Sequence, residues 1–125
     1  IKALIERDTD LAKRVIETDH QVNTYDVEID EECIRLLALR QPTASDLRFI
    51  TTAMKISTDL ERMSDLAEDI CERALELAEE PQLKPYIDIP RMANWARVMV
   101  KEALDAWEKN SGKFIHKNRE LHIIH

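Results

Sequence analysis

Glu61 and Asp65 stand four residues apart in the stretch Leu-Glu-Arg-Met-Ser-Asp, and Asp26 and Asp30 repeat that spacing upstream. Side chains four apart lie one turn apart on the same face of a helix, so each pair offers carboxylate oxygens close enough to share one cation. Carboxylates bridge hard and borderline cations, and both pairs brought together would suit a small metal cluster. A plainer account stands beside this one. Asp30 level with Lys55, or Glu61 beside Arg62, could be ordinary surface charge balance, because carboxylates four apart are common on solvated helices.

Helices are the elements that must position these pairs. One glycine and 5% aromatic residues argue against strands joined by tight turns, whereas 34% charge with abundant Ala, Leu, Glu, Lys and Arg favours an all-α fold. Asp8 and Thr9 can cap a helix running from about Asp10 to Arg40, with Leu11, Val15, Val22, Tyr25, Ile29, Leu36 and Leu39 on its apolar face. Pro42 stops it. Thr43 and Asp46 then form a capping box with Asp in the Glu place, which makes a tight helical hairpin. In the next helix Phe49, Ala53, Ile56, Leu60, Met63, Ala67, Ile70, Ala74 and Leu77 alternate steps of four and three, the seam of a helix packed lengthwise against others.

Beyond the hairpin, which with the end of an earlier helix at Ile1 to Arg7 occupies residues 1–80, the pattern is interrupted by Pro81, Pro85 and Pro90 in a connector at 81–90. Asp88 with Pro90 starts a third helix, over about 91–110, whose face carries Met92, Trp95, Ala96, Met99, Ala103, Ala106 and Trp107. It is expected to end near Asn110 and Gly112, leaving 111–125 as a frayed tail without a period. His116, His122 and His125 in that tail would bind a metal only if folded together.

If the hairpin turns near Gln41 to Ala44, facing residues have numbers summing to about 85, give or take a turn, by the even rise per residue. Asp26 then lies level with Asp59, Glu61 with Thr24, and Asp65 with His20. The acidic pairs are staggered by about 9 Å along the axis, a span for a cluster of several metals and not for one ion. Neither pair falls on the apolar seam, which puts the site on the bundle surface. Glu17 and His20 have the Glu-x-x-His ligand step of di-iron bundles, but no second step exists to complete it. Cys33 and Cys71, about 28 Å apart along the axis, read as reduced, partly buried residues.

The net charge of −7 and the absence of a Lys/Arg run argue against nucleic acid and anionic lipid as partners. The apolar residues never run about 18 together, and the start shows no leader of the secretory type, so a cytoplasmic protein without membrane insertion is expected. A chain beginning at Ile1 without Met reads as a piece of something longer. With no nucleophile beside a base and no Gly-rich phosphate loop, the chain is expected not to be an enzyme.

Two segments carry a resemblance. Ala38 to Arg48, Ala-Leu-Arg-Gln-Pro-Thr-Ala-Ser-Asp-Leu-Arg, and Lys55 to Asp65, Lys-Ile-Ser-Thr-Asp-Leu-Glu-Arg-Met-Ser-Asp, are similar to the helix-junction and acidic segments of the PhoU family of phosphate-uptake regulators. Ser64 stands where the family usually has Gly. The resemblance implies three-helix-bundle elements and an iron or zinc cluster held by Asp26, Asp30, Glu61 and Asp65. It also implies negative regulation of phosphate uptake and signalling as an adaptor between the phosphate importer ATPase and a membrane sensor kinase. Two long amphipathic helices cannot bury their seams alone, so self-association is expected, the third helix of one copy covering the seam of another. A metal-dependent hydrolase or redox bundle, and a plain helical dimerisation module, are the alternative readings of the same pattern.

Overall fold

The computed structural model describes residues 1–122, with side chains through Ser111. Its elements are α1 (Lys2–Ile5), α2 (Thr9–Leu39), α3 (Ala44–Ala78) and α4 (Asp88–His122), with no strand among the described residues. They fall into two units, Ile1–Pro85 and Tyr86–His125.

In the first unit, α2 begins where the sequence places it: the Asp8 carboxylate accepts from the Leu11 amide at 2.9 Å. The capping box forms at the start of α3. Asp46 accepts from the Thr43 amide at 3.0 Å and the Thr43 hydroxyl from the Asp46 amide at 3.4 Å, satisfying donors the helix itself leaves open. α1 ends in a left-handed residue, Arg7 at φ 54°, after which the Asp8 amide reaches back to the Ala3 carbonyl at 2.9 Å. This position usually falls to Gly, and a side chain there costs about 1 kcal/mol. Arg7 offsets that cost at a distance. Its guanidinium donates to the carbonyls of Leu77 at 3.0 Å and Ala78 at 2.9 Å, and also to Glu80, closing the C-terminus of α3. Hydrogen bonds from a charged donor to helix C-terminal carbonyls contribute about 1.5–3 kcal/mol, and here they add to the backbone bond that the Leu77 carbonyl already accepts from the Glu80 amide.

The seam between α2 and α3 is not the apolar stripe. Ser64 meets Asp19, Ser57 meets Asp26 and the Cys33 thiol meets the Ile50 carbonyl, pairs whose numbers all sum to 83. The contact line is thus Ala12, Asp19, Asp26 and Cys33 on α2 against Ile50, Ser57, Ser64 and Cys71 on α3, each in steps of seven. All but Asp26 and Ser64, which are half-buried, are buried. Small side chains at a heptad spacing let two long helices approach closely along their length. Leu60 and Ala67 follow the two serines by three residues, about 60° round the helix to one side, and Glu61 and Glu68 follow them by four, about 40° to the other. One flank of the seam is therefore apolar and the other acidic.

That geometry revises the sequence expectation for α3. The stripe from Phe49 to Leu77 flanks the hairpin contact instead of forming it, and Met63 and Leu77 remain 45% exposed, as is Tyr25 of α2 at 62%. The buried core of this unit gathers at the open end of the hairpin, where Ala3, Ala12 and Cys71 pack with Leu11, Val15, Ile16 and Leu75. Burial pushes both thiols up in pKa, Cys33 further raised by Asp30 and Glu32, and both are free.

In the second unit, α4 starts at Asp88, which pairs with Arg91 at 2.8 Å, and the Arg91 guanidinium lies 5.4 Å from the centre of the Trp95 ring. Lys101 pairs with Asp105 at 2.7 Å one turn along. The expectation of an end near Asn110 and Gly112 is corrected: α4 continues to His122. A single Gly weakens a helix by about 1 kcal/mol without terminating it, and no Pro follows.

Candidate metal centre

On the acidic flank, carboxylate oxygens of Asp19, Asp65 and Glu68 all lie within 4.8 Å of one another. α2 supplies Asp19 from the contact seam itself, where it is buried, and α3 supplies Asp65 and Glu68 from the adjoining surface. Asp19 accepts from the Ser64 hydroxyl at Oδ1, 2.6 Å, and from the Asn23 amide at Oδ2, 3.1 Å. Asp26, half-buried one heptad along, accepts from the buried Ser57 hydroxyl at 2.6 Å.

The electrostatics agree with the distances. Burial, then Asp65, then Asp26 and Asp19 push the Glu61 carboxyl above the usual glutamate range. Burial followed by Asp19, Glu72 and Asp65 does the same to Glu68. Like charges held this close favour whatever neutralises them, a proton or a cation.

Three of the four sequence-derived candidates thus share one electrostatic neighbourhood: Asp26 and Asp65 both act on Glu61. Asp30 is exposed, and its charge acts on Cys33, one turn further along α2. Asp26 is not on the outer surface, as its place off the apolar stripe implied, but half-buried in the seam against Ser57, because the two helices meet along the small and polar line and not along the stripe. Asp19 and Glu68 escaped the search for pairs four apart. The signal that could have found them is the heptad: Asp19 and Asp26 are seven apart, as are Ser57 and Ser64, and Glu61 and Glu68. Glu17 and His20 are exposed and stand outside the carboxylate group. The side chains of His116 and His122, and all of His125, lie outside the described residues.

The donor chemistry suits a hard cation. Asp19, Asp65 and Glu68 offer oxygen alone, and the buried Oδ1 of Asn23, whose amide nitrogen bonds Asp19, has no hydrogen-bond donor among the described residues. An acceptor left without a donor next to carboxylates is satisfied by water or by a cation.

An all-α protein whose main hairpin carries an acidic groove along one flank belongs to the helical-bundle class, and comparison with known proteins gives its family. Residues 1–74, more than half of the chain, match the family model described as the PhoU domain, and the chain belongs to the PhoU family. It is 46% identical over 110 residues to a phosphate-specific transport system accessory protein PhoU homolog of Pseudomonas putida, covering 87% of this chain and 43% of that protein. The Aquifex aeolicus homolog is 47% identical over 103 residues, covering 82% and 47%, and the Escherichia coli K12 protein 41% over 109 residues, covering 87% and 45%. The crystal structure of PhoU from Pseudomonas aeruginosa superposes with a TM-score of 0.83 at 44% identity, over 86% of this chain and 52% of that one. The chain spans about half the length of the curated relatives it matches. The family is one of regulatory accessory proteins, not of enzymes. No helix among the described residues is long and apolar enough to cross a membrane.

Proposed function

We propose that the chain acts in the cytoplasm as a negative regulator of phosphate uptake and of phosphate-responsive signalling, a metal-binding adaptor between the phosphate importer ATPase and a membrane sensor kinase. The observation that carries this reading is the carboxylate group of Asp19, Asp65 and Glu68 along the hairpin of a chain whose relatives are named as accessory proteins of phosphate-specific transport. Asp26, Asp30 and Glu61 extend that surface along the helices. Of iron and zinc, the oxygen-only donor set favours iron, because zinc sites draw mostly on Cys and His. The cation holds the acidic flank in one arrangement, and the long helical faces meet the partners.

Metal content per chain, measured in the wild type and in a variant with Asp26, Asp30, Glu61 and Asp65 changed to alanine, tests the reading together with capture of the importer ATPase. Bound metal and capture in the wild type, with metal lost from the variant, is the expected result. A wild type that holds no metal and captures no ATPase would leave only a helical dimerisation module.

The exposed apolar flank, with Tyr25, Met63 and Leu77 between 45% and 62% exposed, supports self-association through this face. The third helix of one copy would cover the stripe of another. Sedimentation at micromolar concentration should show a dimer or a larger species, and a strictly monomeric chain contradicts this part of the proposal.

A further inference from the structure

Two hydroxyls cross the hairpin seam to two carboxylates, Ser64 Oγ to Asp19 Oδ1 and Ser57 Oγ to Asp26 Oδ1, both at 2.6 Å. The terminal torsion of an aspartate is broad, so an unheld carboxylate presents no fixed edge to a ligand. Asp19 is held at both oxygens, by Ser64 on one and the Asn23 amide at 3.1 Å on the other, and this sets its plane relative to Asp65 and Glu68. The Ser64 hydroxyl is the donor that reaches Oδ1 of Asp19 from across the seam. Glycine, the usual family residue at this place, has no side chain with which to do so. The buried Oδ1 of Asn23, the residue whose amide nitrogen holds Asp19, has no donor among the described residues.

Coordination chemistry gives that restraint a consequence. Calcium accepts six to eight oxygens and takes carboxylates by one oxygen or by both, whereas magnesium demands near-ideal octahedral geometry at shorter distances, and manganese, also smaller than calcium, prefers six oxygens. A carboxylate fixed in plane by two donors cannot swing to chelate. We propose that Ser64 is a positioning residue for cation binding, its hydroxyl holding Asp19 to single-oxygen ligation and so favouring small six-coordinate cations over calcium. This rests on the cation-binding reading of the same groove.

The test uses the full chain, with chelator-competition titrations of Mn2+, an air-stable probe for hard six-coordinate cations, and of Ca2+. Ser64→Ala and Ser64→Gly both remove the hydroxyl, one with a stronger helix former and one with the residue usual in the family, and Ser64→Thr keeps it. Loss of an orienting partner typically weakens metal affinity roughly 10- to 100-fold, and that loss is expected for Mn2+ in the Ala and Gly variants. Ca2+ affinity should change by less than about threefold, since its geometry tolerates a rotated carboxylate. Ser64→Thr should bind Mn2+ like the wild type, and circular dichroism should show the helix content of all three preserved. Unchanged Mn2+ affinity in both hydroxyl-free variants of a wild type that binds would overturn the role of Ser64 and leave the groove reading standing. So would an equal loss of both cations, the signature of a loosened seam. A wild type that binds neither cation overturns the groove reading and this inference with it.

Discussion

Changing Asp65 and Glu68 together to alanine is expected to weaken cation binding by more than about a hundredfold, because affinity at oxygen sites follows the number of charged ligands. The same change should stabilise the metal-free chain. Glu61 and Glu68 are both raised in pKa, by burial first and then by neighbouring carboxylates, Asp65 for Glu61 and Asp19 for Glu68. A carboxyl whose folded pKa exceeds its unfolded value of about 4.5 binds a proton in the folded chain at pH values where the unfolded chain has released it. Stability therefore falls as pH rises from that value through the raised one, and the loss is complete above it. Urea denaturation in the presence of chelator should accordingly show a higher midpoint near pH 5 than near pH 8, at about equal ionic strength. Glu61→Gln with Glu68→Gln should flatten that slope. Saturating Mn2+ should raise the pH 8 midpoint of the wild type and leave that of the Asp65→Ala, Glu68→Ala variant where it was. A wild-type midpoint that rises with pH across this window would contradict the account of a groove strained by like charge.

Asp19→Ala is expected to destabilise the chain by about 2–3 kcal/mol, since it leaves two donors in the seam, Ser64 Oγ and Asn23 Nδ2, without an acceptor. The sign is opposite to that of removing Glu68, although both residues carry a negative charge in the same groove. What separates them is partnership. Asp19 is 6% exposed and anchors hydrogen bonds from both helices, whereas Glu68 is half-buried against like charges. Asp19→Asn, which retains an acceptor towards Ser64, should cost about 1 kcal/mol or less in chelator and still lose cation affinity, because the ligand charge is gone. Equilibrium urea melts at pH 7 separate the two variants. An alanine variant within about 0.5 kcal/mol of the wild type would mean that the seam carboxylate is not holding the hairpin.

The helices, and the starts of α2 and α3, were legible because the signals are local, whereas the end of α4 was not. Asp8 accepting from Leu11, and Thr43 exchanging hydrogen bonds with Asp46, join residues three apart and depend on little else. The hairpin's antiparallel pairing followed from Pro42 and an even rise per residue, and the observed facing sum of 83 lies within a turn of the expected 85, the remaining offset being set by turn geometry. Residue spacing also found Glu61 and Asp65 on the acidic flank.

Which face of each helix meets the other was not legible from apolar periodicity. The regular stripe from Phe49 to Leu77 suggested a packed seam, but α2 and α3 meet along small and polar residues seven apart, and the stripe is left on one flank. A hydrophobic pattern states that a face prefers to leave water without stating which neighbour covers it. Likewise, the sequence by itself determined long helices rich in carboxylates, a tight hairpin and the segments that place the chain in the PhoU family. Only the tertiary structure decided that Asp19 turns inward to a serine and joins Asp65 and Glu68, residues about forty-six to forty-nine positions away along the chain. The reason is geometric: cation chemistry requires oxygens within a few ångströms, and between two helices that proximity is set by register and rotation, which no single helix encodes.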